Sequence, residues 1–230
     1  MEYIRFVFLG LLAIATVIHL IDSWHDDAKK RRRTKPFLLI LILLYYIFSA
    51  DKVSIILCAA LVTSWIGDIL LMGTGDKWFK AGGISFMLSH FLFIAVYIMN
   101  LVAKGTLDGV IWWIVIPAAI IYYGISLMVV RALKPTTPKS MLVPMYIYLL
   151  CNSTMNVFSL MQLMTYRSSG AAVAFIGAVL FFISDCTLYL VRYYKDENLI
   201  FKRHFTVMLT YVLGELLIAQ GVLMLGTNIF

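Results

Sequence analysis

The sequence predicts an all-α membrane protein, in which about eight transmembrane helices form a single bundle over residues 1–230. The first observation is composition: of the 230 residues, 62% are hydrophobic and only 13% are charged. A soluble domain has about half apolar and a quarter charged residues. The second is a series of apolar segments near the length of about 20 residues that a helix needs to cross a bilayer. The third is that basic residues concentrate in alternate connections between those segments.

Eight apolar segments follow one another along the chain, separated by short polar connections. The second segment is short for a hydrocarbon core of about 30 Å, so its ends are the least well defined. The longest polar run follows Ile21 and leaves no room for a separate soluble domain. The segments cover residues 3–21, 36–50, 53–72, 82–102, 109–130, 140–164, 171–191 and 205–225.

The distribution of basic residues predicts the orientation of the chain. Cytoplasmic connections of membrane proteins carry an excess of Lys and Arg. If the first connection, with its run from Lys29 to Lys35, is cytoplasmic, 15 of the 19 basic residues fall on that side. Both termini then lie on the non-cytoplasmic side. The remaining basic residues are Arg5, Lys52, Lys104 and Arg167.

The net charge of +7 points to lipid rather than to nucleic acid. The basic residues lie between apolar segments, where orientation signals and contacts with anionic lipid headgroups belong. We therefore expect the bilayer, with anionic headgroups on the cytoplasmic side, as a partner and no nucleic acid. The expected location is the cytoplasmic membrane of a bacterium, as a multi-pass protein. The sequence leaves the oligomeric state open.

Two aspartates lie inside apolar segments, where a charged side chain costs about 2.5–3.5 kcal/mol on insertion scales. Asp185, in the seventh segment, shares one helical face with Gly177 and Ser184. Asp68, in the third segment, follows directly after Gly67, and a small residue allows a neighbouring helix to approach closely. Both faces must contact protein or a wet cavity, because lipid offers a carboxylate no partner.

The predicted orientation places several polar side chains in one layer. With a rise of about 1.5 Å per residue, Asp68, Asp185, Tyr211 and His90 lie roughly 6–12 Å below the cytoplasmic boundary. Two carboxylates, an imidazole and a phenol at similar depth predict a site. Asparagines in transmembrane helices can also simply bond to a neighbouring helix, so both interpretations stay open for them. The further candidates for orienting residues are Ser89, Asn152, Asn156, Ser184 and Glu215.

Separate acids on different transmembrane helices are typical of three classes: proton-coupled transporters, intramembrane aspartyl proteases and hydrolases with a carboxylate pair. The Gly-x-Gly-Asp motif of the proteases is broken here, because Trp65 stands in place of the first glycine. A zinc hydrolase needs several deep histidines, and only His90 is predicted to be deep. We therefore expect no metal and no cofactor. A small proton-coupled transporter remains the alternative to a hydrolase.

Several short motifs occur in the order found in a known family of membrane proteins. They are Lys35-Pro36, the run Gly67-Asp68-Ile-Leu-Leu-Met72, Phe86-x2-Ser89-His90 with Tyr97, and Gly177-Ala178-x3-Phe182-Ile-Ser184-Asp185. Together they resemble the YhhN-type membrane proteins, and the resemblance runs from about Lys35 to Gln220. One departure lies in the last segment, where the family usually has glutamine four residues after its tyrosine. Here Glu215 follows Tyr211 at that distance.

The resemblance implies eight helices and lysoplasmalogenase activity, since the characterised members of the family are lysoplasmalogenases. Such an enzyme hydrolyses the vinyl-ether bond of a lysophospholipid, lysoplasmenylethanolamine or lysoplasmenylcholine, and releases a fatty aldehyde and a glycerophospho-alcohol. Asp68 and Asp185 fit as a general acid and a general base, without an assignment of which is which. His90 and Tyr211 fit as orienting partners. Lys35 is expected to anchor the topology, and at the start of a helix it is also a candidate to bind a phosphate headgroup.

Overall fold

The fold is all-helical, as the composition predicts. A computed structural model describes residues 3–226, and within that range the chain forms eight helices and no strand. The helices are α1 (Ile4–Trp24), α2 (Ala28–Ser49), α3 (Ile55–Leu71), α4 (Asp76–Lys104), α5 (Trp112–Leu133), α6 (Lys139–Tyr166), α7 (Ser169–Tyr193) and α8 (His204–Leu225).

Six of these helices are long and apolar enough to cross a membrane, namely α1, α4, α5, α6, α7 and α8. The other two depart from that description for different reasons. Helix α3 has only 17 residues, and α2 begins with a run of charged side chains. The chain is thus a multi-pass helical membrane protein. Crossing by α2 and α3, and the side on which the termini lie, stay predictions from the sequence.

The polar run after Ile21 is mostly helical, which differs from the expected loop. Helix α1 continues to Trp24, and α2 begins at Ala28, well before the apolar segment predicted from residue 36. Asp27 caps α2, because its side chain accepts the backbone N–H groups of Lys29 and Lys30, each at 3.1 Å. The hydrogen bond from the Lys30 N–H is the main reason that the pKa of the Asp27 carboxyl lies below its usual value. A favourable cap allows a helix to start among like charges.

Glycines bring the aspartate-bearing helices into close contact with their neighbours. A Cβ atom added at Gly177 of α7 would lie 2.6 Å from the backbone nitrogen of Ile218 in α8. A Cβ added at Gly67 of α3 would lie 2.6 Å from the ring of Phe86 in α4. Small residues at such contacts let helix backbones approach in a membrane. Asp68, next to Gly67, and Asp185, two turns after Gly177, are therefore held on tightly packed pairs of helices.

Aromatic rings fill the core between these helices. Phe181 is fully buried, and its ring centroid lies 4.8 Å from that of His90 and 5.5 Å from that of Tyr211. Phe86 packs edge-on against Tyr211, with centroids 5.8 Å apart. Rings in such offset and edge-to-face contacts stabilise one another beyond their burial alone. This cluster fixes the positions of His90 and Tyr211 relative to the helices that carry the two aspartates.

Candidate active site

A cavity of about 390 Å³ reaches from the basic end of the bundle into its interior. Its walls come from α1, α2, α3, α4, α7 and α8, whereas α5 and α6 contribute none of its lining residues. Both Asp68 and Asp185 line it, although they are only 1% and 4% exposed. Arg32 lines the same cavity and is exposed. The cavity therefore connects solvent-exposed arginine with two buried acids.

Asp68 is held as one half of a buried ion pair. The Lys35 ammonium lies 3.0 Å from Asp68 Oδ1. The hydroxyl of Tyr211 donates to Asp68 Oδ2 at 2.9 Å. One positive charge and one hydroxyl donor, each on a different carboxyl oxygen, stabilise the ionised form of this group.

Asp185 accepts hydrogen bonds from two side chains of α6, both at one oxygen, and a histidine of α4 lies close to that oxygen. Its Oδ2 accepts the Tyr148 hydroxyl at 2.8 Å and the Asn152 amide at 2.6 Å. The His90 Nε2 atom lies 3.3 Å from the same oxygen. Among the described residues, no donor contacts Oδ1. Two hydrogen-bond donors therefore share one oxygen of Asp185, and the other oxygen is left for a further partner.

Three side chains on one face of α6 support Asp185, namely Tyr148, Asn152 and Asn156. The Asn156 amide nitrogen donates to Asn152 Oδ1 at 2.9 Å and to the Asn152 carbonyl oxygen at 3.1 Å. This bond turns the amide nitrogen of Asn152 toward Asp185. Asn152 thus bonds between helices, directly to the acid in α7, whereas Asn156 bonds to Asn152 within α6. Tyr148 was not among the predicted site residues, although its position one turn before Asn152 was a usable signal.

The remaining predicted orienting residues lie farther from the cavity or face away from the acids. Ser184 lines the cavity, but its hydroxyl donates to the carbonyl oxygen of Val207 at 3.0 Å. Ser89 is buried outside the cavity and bonds to the Ser64 hydroxyl at 2.7 Å. Glu215 is fully buried, is absent from the cavity wall and interacts with Ser64.

The expectation that Lys35 opens a helix is wrong. Because α2 already begins at Ala28, Lys35 lies two turns inside it, beyond the free N–H groups that bind an anion at a helix start. Its role as a topology anchor was also incomplete, because its ammonium pairs with Asp68 across α2 and α3.

The basic character of the cavity was missed by the sequence interpretation. Arg31, Arg32, Arg192 and Arg203 all line it, together with Lys35. The four arginines were interpreted only as orientation signals and as contacts for lipid headgroups at the membrane surface, not as parts of a cavity. Two histidines, His19 and His204, line it as well. The signal in the sequence was the position of basic runs directly beside the segments that carry the aspartates and Tyr211.

No group of three or more His, Cys, Asp and Glu side chains is placed to hold a metal ion within residues 3–226. The two buried aspartates have separate sets of partners.

The fold and the cavity define a class: a multi-pass helical membrane protein with a buried pair of aspartates in a basic cavity. Comparison with family models identifies it further. The model of the YhhN family matches residues 31–222, and the chain belongs to that family. No curated protein and no solved structure matches the chain. The matched range begins at Arg31 and therefore includes every lining residue of the cavity except His19 and Ala28.

Proposed function

We propose that this protein is a lysoplasmalogenase-type hydrolase that uses Asp185 as the general acid and Asp68 as the general base. The YhhN family is associated with that activity. The observation that carries the proposal is the presence of two buried aspartates, from α3 and α7, in one cavity. An acid and a base on opposite sides of a substrate can divide proton transfer between them, as in glycosidases.

Asp185 is suited to the first step, protonation of the vinyl group. Neutral donors bond to its Oδ2, and none of the described residues bonds to its Oδ1, so we assign the transferred proton to Oδ1. The proton moves to the alkenyl carbon that is not bonded to oxygen, which leaves an oxocarbenium ion on the neighbouring carbon and the ether oxygen. Asp185 becomes a carboxylate in this step. Donors from Tyr148 and Asn152 then stabilise its new charge.

Asp68 is suited to the second step, the capture of water. Its ion pair with Lys35 favours the ionised form that a base requires. The carboxylate takes a proton from the water that attacks the oxocarbenium carbon, and a hemiacetal forms. Asp68 then returns that proton to the ether oxygen as the carbon–oxygen bond breaks, while Asp185 takes the hydroxyl proton. The products are an aldehyde and an alcohol, and both acids regain their starting states.

A second, apolar cavity of about 160 Å³ is suited to the hydrocarbon chain of the substrate. It lies between α4 and α6, and Phe79 lines both cavities. Tyr148, whose hydroxyl bonds to Asp185, also lines it. A lipid whose hydrocarbon chain occupies this apolar cavity would have its vinyl ether beside Asp185. The burial of each methylene stabilises binding by about 0.8 kcal/mol.

The experiment is turnover by the purified protein in detergent. Aldehyde release is measured from an alkenyl lysophospholipid and from its saturated ether analogue. We expect release only from the alkenyl lipid, and Asp68→Asn and Asp185→Asn should each lower the rate by about 10²- to 10⁴-fold. Asp51→Asn, a change of an exposed aspartate, is the control.

The alternative function, a small proton-coupled transporter, requires a sealed membrane and consumes no lipid. Uptake by proteoliposomes without turnover in detergent would favour it. Uptake that requires the ionisable forms of Asp68 and Asp185 would assign both acids to proton movement.

A further inference from the structure

The cavity wall carries an excess of positive charge that the proposed reaction does not use. Five Lys and Arg side chains line the cavity, against two acids, Asp68 and Asp185. Lys35 is already paired with Asp68. The others are Arg31, Arg32, Arg192 and Arg203. A cleft lined by one sign of charge concentrates ligands of the opposite sign.

Three of these arginines have acidic partners outside the cavity wall. Arg31 bonds to Asp26 at 2.6 Å, Arg192 to Asp76 at 3.2 Å and Arg203 to Glu197 at 3.0 Å. Arg32 has no acidic partner among the described residues. It is therefore the arginine of the wall whose charge is not already compensated by protein.

A buried histidine on the same wall has a free ring nitrogen. His19 is 1% exposed and lines the cavity. Its Nδ1 lies 2.7 Å from the Thr34 hydroxyl, whereas its Nε2 is buried without a hydrogen-bond partner within residues 3–226. Such a nitrogen accepts from a phosphate hydroxyl or, when the ring is protonated, donates to a phosphate oxygen. A buried polar atom without a partner destabilises the unliganded protein.

We propose that this wall binds the phosphate group of the lipid, with Arg32 as the main contact, and that it selects headgroups by their charge. Guanidinium groups bind phosphate through paired charge-assisted hydrogen bonds. The phosphate then lies at the basic end of the cavity, and the hydrocarbon chain of the lipid extends toward the buried aspartates. The identity of the lipid rests on the proposed function.

The expected preference among headgroups follows from the charges on and beside the cavity wall. The acids nearest the arginines, Asp26, Asp76 and Glu197, are all engaged in ion pairs. A positively charged amine of choline or ethanolamine therefore meets a wall in which basic side chains outnumber acids. A headgroup that ends in phosphate or phosphoglycerol has no such amine and is attracted by the excess of basic side chains. We expect affinity to fall from phosphate through phosphoglycerol to phosphocholine.

The test is a binding measurement with saturated ether lysolipids, which cannot be hydrolysed. Lipids with phosphate, phosphoglycerol and phosphocholine headgroups are titrated into the purified protein in detergent. Inorganic phosphate and glycerol 3-phosphate are titrated separately, to distinguish a lipid headgroup from a free phosphate. Arg32→Gln should weaken binding of the phosphate lipid on the order of tenfold, as loss of one charge-assisted contact implies, and should reduce the preference over phosphocholine. Arg32→Lys should retain most of the preference.

The matched control is Arg33→Gln, because Arg33 is the exposed neighbour of Arg32 and does not line the cavity. Equal affinities for the three headgroups, or equal effects of Arg32→Gln and Arg33→Gln, would overturn the proposal. Binding of inorganic phosphate as tightly as of the lipids would also overturn it. Because no lipid is cleaved in this measurement, absence of vinyl-ether hydrolysis would count against the proposed function and leave the headgroup result intact.

Discussion

The substitution Lys35→Met should destabilise the protein by leaving Asp68 buried without its countercharge. The ammonium and the carboxyl oxygen are 3.0 Å apart, and their side chains are only 17% and 2% exposed. Removal of one member of a buried ion pair costs about 3–5 kcal/mol in the free energy of unfolding. Because the ammonium retains some contact with solvent, we expect a loss near the lower end, about 3 kcal/mol.

The assay is reversible unfolding in mixed micelles, performed as a double-mutant cycle. In the Lys35→Met background, Asp68→Asn should restore most of the lost stability, since an amide needs no countercharge and still accepts from Tyr211. The coupling energy should then be about 2 kcal/mol or more, within the range for residues in contact. The control is Lys30→Met, because Lys30 forms a more exposed pair with Asp27, 3.5 Å apart. If Lys35→Met were no less stable than Lys30→Met, the buried pair would not contribute as the geometry implies.

The other predictions concern residues around the two acids. Glu215 is fully buried and does not line the cavity. Glu215→Gln should therefore keep both activity and stability, whereas Glu215→Leu should lose both, as measured by rate and unfolding assays. An inactive Glu215→Gln would indicate that Glu215 exchanges protons. Gly83→Leu should fill the apolar cavity, because an added Cβ meets nothing within 4 Å, and rates should fall for long-chain but not short-chain substrates. Tyr148→Phe removes one donor to Asp185, so kcat should fall about tenfold with KM unchanged; an unchanged kcat would contradict the role of the hydroxyl.

The eight helices were predictable because long apolar segments leave the backbone few alternatives in a membrane. The start of α2 was not predictable, because an apolar sequence indicates only the part of a helix that is surrounded by lipid. The residues from Lys29 to Arg33 are helical but charged. The capping carboxylate of Asp27 before that run is the local feature that could have indicated the earlier start.

The meeting of Asp68 and Asp185 in one cavity was predictable from depth, since helical rise converts sequence position into height. Depth does not specify which helix faces which. The pairing of Lys35 with Asp68, and of Asn152 with Asp185, depends on how α2 and α6 are rotated and packed. A count of residues from the membrane boundary contains no information on that rotation.

Glu215 and Ser89 show that a polar residue in an apolar segment need not belong to the site. Both are polar residues in apolar segments, as Asp68 and Asp185 are, yet neither lines the cavity. Ser89 bonds to Ser64 across α3 and α4. Polar side chains inside a membrane serve packing contacts between helices as well as sites. The sequence alone does not separate the two uses.

Hydrolysis of a vinyl ether by two aspartates in one cavity is tested by measuring aldehyde release in deuterated water. Protonation of carbon predicts that hydrolysis in D₂O places one deuterium on the carbon next to the aldehyde group. The wild-type protein should give this product from the alkenyl lysolipid and none from the saturated ether, and Asp185→Asn should abolish it. Aldehyde without that deuterium, or undiminished release by Asp185→Asn, would rule out Asp185 as the acid that protonates carbon.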